Sequence, residues 1–242
     1  MPCRYQQFPG LPRRRPSDGH LCDQPGDSLG QRDYRCSEIG LKVSPTGENS
    51  VSRSISQDFI NSWSAVHPDG QVVLRDLAAN PVPHLDMETI YAARTPESDR
   101  SASASAKHAY RADLNREILE ADEVLIASPM WNWSIPSVLK AYFDQIIMSG
   151  TLDSNKAQGL KGKKITFVVA QGGSYKPGTP REGWDHGTGY LEFLAHTLGS
   201  TDVEIILAEL TLAGIAPGME SLVGAKAASI DAAREAARRR AA

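Results

Sequence analysis

The chain has 242 residues, 40% of them hydrophobic, and a formal net charge of −3. That size fits one α/β domain with added segments better than two complete domains, and the apolar runs are too short for a membrane span. The mildly acidic balance gives no overall attraction for nucleic acid, and Cys3, Cys22 and Cys36 offer neither a disulfide framework nor a zinc site, so a cytoplasmic protein is expected. Residues 1 to about 35 are rich in Pro, Gly and Arg, show no hydrophobic period and read as disordered. No apolar segment follows the Arg13-Arg14-Arg15 run, so no export signal is expected. From Ile39 onward strand and helix patterns alternate. Residues 39–43 are the first strand, a poor one, because Glu38, Gly40 and Lys42 interrupt it. Val51, Ile55, Phe59 and Trp63 mark one face of a helix over 50–66, and "QVVLRDL" at 71–77 is the second strand. The next forty residues, including "SDRSASASAKH", are expected to form a loop or lid leading into a helix that ends near Glu120. "EVLIASP" at 123–129 is almost continuously apolar, as in a strand buried on both faces. Ser134 is placed to cap the next helix, with Pro136 in its first turn and Ile135, Val138, Leu139, Tyr142, Phe143, Ile146 and Ile147 on its apolar stripe. A strand at 163–171, a helix over 190–198, a strand at 202–210 and an Ala-rich last helix complete the pattern. Arg238, Arg239 and Arg240 there suit a solvated helix end better than a nucleic-acid patch.

Five strands with intervening helices imply a flavodoxin-like, doubly wound five-stranded parallel sheet with helices on both faces, spanning residues 38–242. On such sheets ligands bind at the carboxyl edge, where strand order reverses. Three loops should meet there. "SPTGENSVS" at 44–52 has several hydroxyls and opens a helix, which suits a phosphate, although a plain Ser-rich cap explains it equally well. It matches neither the P-loop nor the dinucleotide fingerprint. "SPMWNWS" at 128–134 places two of the four tryptophans in a turn, as walls for a flat ligand or as a subunit contact. "AQGGSYKPG" at 170–178 carries Gly172-Gly173, which lets backbone approach a ligand or simply makes a surface turn. Taken together, a phosphate pocket, an aromatic wall and a glycine ledge describe a phosphorylated flavin better than a metal or a peptide.

At these residues the chain resembles a known family. "SPMWNWSIPSVLKAYFDQI" is similar to the flavin-turn motif of FMN-dependent NADH-azoreductases, which also reduce quinones. The likeness extends through "RDLAANPVPHLD", "LKGKK", "AQGGSY" and "TPREGWDHGTGYLEFL" to "GSTDVEIILAE". The resemblance implies that Ser44, Ser50, Val51 and Ser52 hold the FMN phosphate and ribityl chain. It implies that Met130, Trp131, Asn132 and Trp133 line the isoalloxazine ring, and that Ala170, Gln171, Gly172 and Gly173 meet its pyrimidine edge. It implies a homodimer with sites at the subunit interface, and a ping-pong transfer of two electrons from NADH or NADPH to a quinone or azo compound. The cofactor carries that chemistry, so no acid–base side chain has to be nominated. His186, in "GWDHG", is a candidate for orienting an acceptor or donating a proton.

Three departures stand out. Gln171 occupies a position where the family often has arginine. The segment "SGTLDSNKAQGLKGKK" lacks the aromatic residues that many members carry there. Everything before about Val43 is unlike the family, which we read as an aberrant extension over 1–37 produced by a shifted frame or a wrongly placed start. Two other functions remain open on the sequence: a flavodoxin-like electron carrier with no substrate of its own, and a chain that no longer retains FMN.

Overall fold

The structure is a computed structural model and describes residues 37–148, 151–152 and 159–242. The expectations for the first 36 residues, including the three cysteines, and for much of the segment after Met148 lie outside the described residues. Five strands, β1 (Ser37–Lys42), β2 (Gln71–Asp76), β3 (Glu123–Pro129), β4 (Lys164–Ala170) and β5 (Asp202–Ala208), pair in parallel in the order β2-β1-β3-β4-β5. After β1 the chain moves one way to β2 and then back past β1 to β3. The carboxyl ends of β1 and β3 therefore flank the point where winding reverses.

Six helices cover the sheet: α1 (Val51–Val66), α2 (Met87–Ala92), α3 (Ala102–Glu120), α4 (Ser137–Ile146), α5 (Thr188–Thr197) and α6 (Val223–Ala241). Alternation along β3 shows why both faces need cover. Val124 and Ile126 enter a core with Leu114, Ile118, Leu139, Tyr142, Ile146 and Leu191, while Leu125 and Ala127 enter another with Ile55, Phe59, Trp63, Ala233 and Ala237. Burying each large aliphatic side chain contributes about 1.5–3 kcal/mol, so a strand apolar at every position belongs in the sheet centre. The α1 stripe behaves as its period indicated: Ile55, Phe59 and Trp63 are buried and pack with α6.

Several boundaries differ from the sequence reading. The low-complexity stretch is the start of α3, because Ala is the best helix former and the Ser101 side chain accepts from the Ala104 N–H. Further along α3, Arg111 donates to the carbonyls of Asp144, Gln145 and Ile147, and Asn115 to that of Ile146. The open C-terminal end of α4 is thus closed by another helix. Ser134 does not cap α4, which begins at Ser137 with Pro136 in the capping position; Ser134 is held in the preceding turn. The strand β5 stops at Ala208, and Leu210 beyond it has φ +60°. At the far end of α6, Arg240 pairs with Asp202, Arg238 with Asp58 and Arg239 with Glu204, which accounts for the arginine run as structural ion pairs.

The strand β1 starts at Ser37 and is buried through its middle. Ile39 and Leu41 face the α3–α5 layer, while Gly40 faces α1, where an added Cβ would stand 2.7 Å from Leu74 Cδ2. Glu38 is 1% exposed, and among the described residues neither carboxylate oxygen has a hydrogen-bond partner. Its register neighbour on β3 is Glu123. Burial, reinforced by that second carboxylate, pushes the Glu38 carboxyl up to about 8.

Candidate functional site

The carboxyl ends of β1, β3 and β4 lie side by side, so the three expected loops emerge at one sheet edge. The Val43 N–H donates to Ala127 O at 3.0 Å, just before the first loop. Ser44 is 3% exposed and its hydroxyl lies 2.9 Å from that of Thr46. Ser50 caps α1, accepting from the Arg53 N–H, and its Oγ is 3.3 Å from the wholly buried Ser52 Oγ. Val51 opens the helix with its side chain packed on the α1–α6 core. First-turn N–H groups have no acceptor within a helix, so this corner offers donors and buried hydroxyls to an anion.

Arg53 holds the corner in shape. Its Nε donates to Ser44 O at 2.7 Å, and its two terminal nitrogens bind both oxygens of Asp76 at 2.6 and 2.7 Å. That contact, with the Ala79 and Ala78 N–H groups, holds the Asp76 carboxyl below its ordinary range. A depressed carboxylate adds stability above its unfolded pKa and loses it as pH falls through the folded value. Replacing Arg53 with alanine is expected to cost about 1–3 kcal/mol near neutral pH, a deficit that shrinks as pH falls, so that the acid limb is shallower than in wild type. Urea melts in a pH series check both, and an unchanged acid limb would contradict the pairing.

The aromatic turn has a specific cause. The Met130 N–H donates to Ala170 O at 2.8 Å, binding the β3 exit to the end of β4. Trp131 and Ser134 then exchange backbone hydrogen bonds at 2.9 and 3.0 Å, closing a two-residue turn in which Asn132 has φ +48° and Trp133 φ +63°. Two consecutive left-handed residues are the geometry of a tight primed turn. Asparagine tolerates it, but tryptophan does so at a cost of about 1 kcal/mol. Trp131 and Trp133 are each 44% exposed, so neither ring recovers that cost in the core. Strain of this kind collects at ligand clamps.

In the third loop the backbone is committed to neighbouring chain. Gly172 O and Gly173 O accept from Leu212 and Leu210, and a Cβ on Gly172 would come within 2.8 Å of Leu212 Cδ1. Gly173 has room on its open side, beside the Tyr175 hydroxyl and the Arg181 guanidinium. Gln171 is 1% exposed and its amide donates to Asp185 Oδ2 at 2.7 Å, turned away from the ledge. Its replacement of arginine therefore concerns the loop beyond, where Trp184 meets Trp133 edge to face with centroids 5.7 Å apart. The His186 N–H donates to Trp133 O at 2.9 Å, and Arg181 lies 6.0 Å from the Trp184 centroid.

Met130–Trp133 and Ala170–Gly173 are thus in direct contact, and Ser44 and Ser50–Ser52 sit one strand over at the same edge. Sequence reading missed Arg53, Trp184 and Asp185. The signal for Asp185 was present, since an Asp three residues before Thr188 is spaced to cap the helix that follows. Buried hydroxyls at a helix start, beside exposed indole faces and the open side of Gly173, fit a phosphorylated flavin such as FMN.

Comparisons agree with this architecture. The family model Flavodoxin_2, a flavodoxin-like fold, matches residues 40–240. A Frankia alni protein named FMN-dependent NADH:quinone oxidoreductase is 42% identical over 206 residues, covering 84% of this chain and 98% of that protein. A Streptomyces avermitilis protein of the same name is 38% identical over 186 residues, covering 77% and 86%. Among solved structures, an azoreductase from Bacillus anthracis has a TM-score of 0.72 at 23% identity, covering 85% of this chain and 98% of that one, a likeness of fold.

Proposed function

Since the chain belongs to the flavodoxin-like family of FMN-dependent NADH:quinone oxidoreductases, we propose that it moves two electrons from NADH to quinones and azo compounds in a ping-pong cycle. FMN, when bound, supplies the redox chemistry, accepting hydride from the nicotinamide and passing two electrons to the acceptor. Ser44, Ser50, Ser52 and the Val51 N–H would hold the phosphate and ribityl chain. Met130, Trp131, Asn132 and Trp133 would bound the flat ring, with the Ala170–Gly173 backbone at its pyrimidine edge. With a flavin bound, Trp133 and Trp184 would shield one side of that space from water, which would strengthen the polar contacts within it. A single aromatic wall would accommodate donor and acceptor in turn, which would be the physical basis for alternating half-reactions.

The observation that carries this reading is the Met130 N–H to Ala170 O bond. It sets the strained tryptophan turn against the glycine ledge at the edge where the buried serines also lie. The exposed indoles, with Phe193 at 65% and Ile215 at 73% exposure, favour a homodimer that covers them. Among the described residues no helix is long and apolar enough to cross a membrane.

The purified chain is expected to be yellow, with about one flavin per chain, and to oxidise NADH with menadione as acceptor. A simple electron carrier would bind flavin and show negligible turnover. A colourless protein indifferent to added FMN would overturn the flavin site itself.

A further inference from the structure

Asp185 is a junction. Its Oδ1 accepts from the Gly187 and Thr188 N–H groups, both at 2.9 Å, and its Oδ2 accepts from the Thr188 hydroxyl at 2.7 Å and the Gln171 amide at 2.7 Å. Three of those donors belong to the start of α5. The fourth comes from a residue one step beyond β4, buried and fixed by its own backbone, with the Gln171 N–H on Ala208 O and the Gln171 carbonyl receiving Thr211. Residues 184–187 have few other ties. Trp184 bonds locally to Arg181 O, the His186 N–H reaches Trp133 O, and both side chains are exposed.

We infer that Gln171 is a positioning residue: its amide latches Asp185 to the end of β4, so that Trp184 is held against Trp133 and the aromatic wall keeps one geometry. The latch is a single side-chain hydrogen bond between a rigid strand end and a loop. Removing its donor leaves Asp185 three partners, enough to close α5, but loosens the loop, whose remaining tie to the turn is the His186 N–H on Trp133 O. The effect falls on position before it falls on folding. A primary amide suits the task because it does not titrate, so the donor is present at every pH. That the wall serves a ligand rests on the function proposed above; the latch itself does not.

The test uses the signature of the indole pair. Two rings in edge contact couple their transitions, so circular dichroism of the full chain, with and without FMN, reports the Trp133–Trp184 geometry. Trp184→Leu gives the uncoupled baseline. Gln171→Met has similar size and no donor. It should bring the couplet down to that baseline, leave the thermal midpoint close to wild type, and raise the quinone KM about tenfold with a smaller fall in kcat. Gln171→Glu keeps the shape and donates to Asp185 only when protonated, so its couplet should be present near pH 5 and lost near pH 8, while wild type stays flat. A full couplet in Gln171→Met, or no pH dependence in Gln171→Glu, overturns the latch. A couplet lost with KM unmoved supports the latch and counts instead against the wall as a ligand surface.

Discussion

Replacing Glu38 with valine is expected to raise the thermal midpoint at pH 8 by about 5–10 °C, equivalent to about 2–4 kcal/mol. In this chain a carboxylate lies inside the second strand of the sheet, with neither oxygen partnered and Glu123 alongside. The sign of its pH dependence follows from the raised pKa of about 8. Below the unfolded value of 4.5 both states hold the proton and Glu38 contributes no pH dependence. Between 4.5 and about 8 the unfolded chain releases its proton while the folded chain keeps it, so each rise in pH favours unfolding. Above about 8 the folded state must carry the charge and the penalty is complete, roughly 3–5 kcal/mol at most. Relative to a variant without this acid, wild type should therefore lose stability between pH 5 and pH 8. The comparison is needed because burial lowers the His108 imidazole, which acts with the opposite sign in the same window. Glu38→Gln removes the charge and leaves an unpaired amide, so it should flatten the pH dependence with a smaller gain. Unfolding midpoints for the three proteins at both pH values decide the matter. A wild type that does not lose stability relative to Glu38→Gln across that range, or a valine variant no more stable at pH 8, would falsify this account of Glu38.

The second large effect concerns the turn at 131–134. Trp133→Gly keeps the left-handed backbone, which glycine adopts freely, and deletes the ring. Flavin binding should weaken by about 2–3 kcal/mol, or 30- to 150-fold in dissociation constant, with the fold intact. Asn132→Leu acts on both turn geometry and polarity, because leucine resists φ +48° and has no amide. It should lower stability by about 1 kcal/mol and weaken flavin binding or turnover about tenfold. Asn132→Gly retains the backbone and loses only the amide, so the difference between the two variants isolates the contribution of turn shape. Fluorescence titration with FMN measures all three; a Trp133→Gly protein that binds as tightly as wild type would remove the ring from the site.

What was legible in the sequence follows from which forces act locally. Continuous apolar runs such as 123–129 and the stripe on α1 announce burial by composition, and the sheet order then follows from the rules of parallel winding. The three loops could be placed at one edge before any coordinates, because they follow strands that such winding makes neighbours. The helical start of α3 was hidden because Ser and Ala in alternation read as low complexity, and only the Ser101 cap gives it away. Misreading Ser134 as a helix cap has a similar origin. A serine before a proline and an apolar stripe looks like a helix start, whereas its backbone is committed to Trp131. The pairings of Arg53 with Asp76 and of Gln171 with Asp185 were out of reach because they join residues 23 and 14 positions apart through side-chain geometry. The poor first strand was recognised as costly from its letters, and the orphaned Glu38 oxygens show where the cost falls.

That acid stands at the floor of the sheet, at the opposite end of the strands from the mouth where the tryptophan turn opens. The two liabilities of this chain, an unpaired buried acid below and a strained turn above, are thus separated by the length of the sheet. Repairs to the floor can raise thermal endurance without disturbing the mouth, which makes residue 38 the natural first edit for a hardier catalyst.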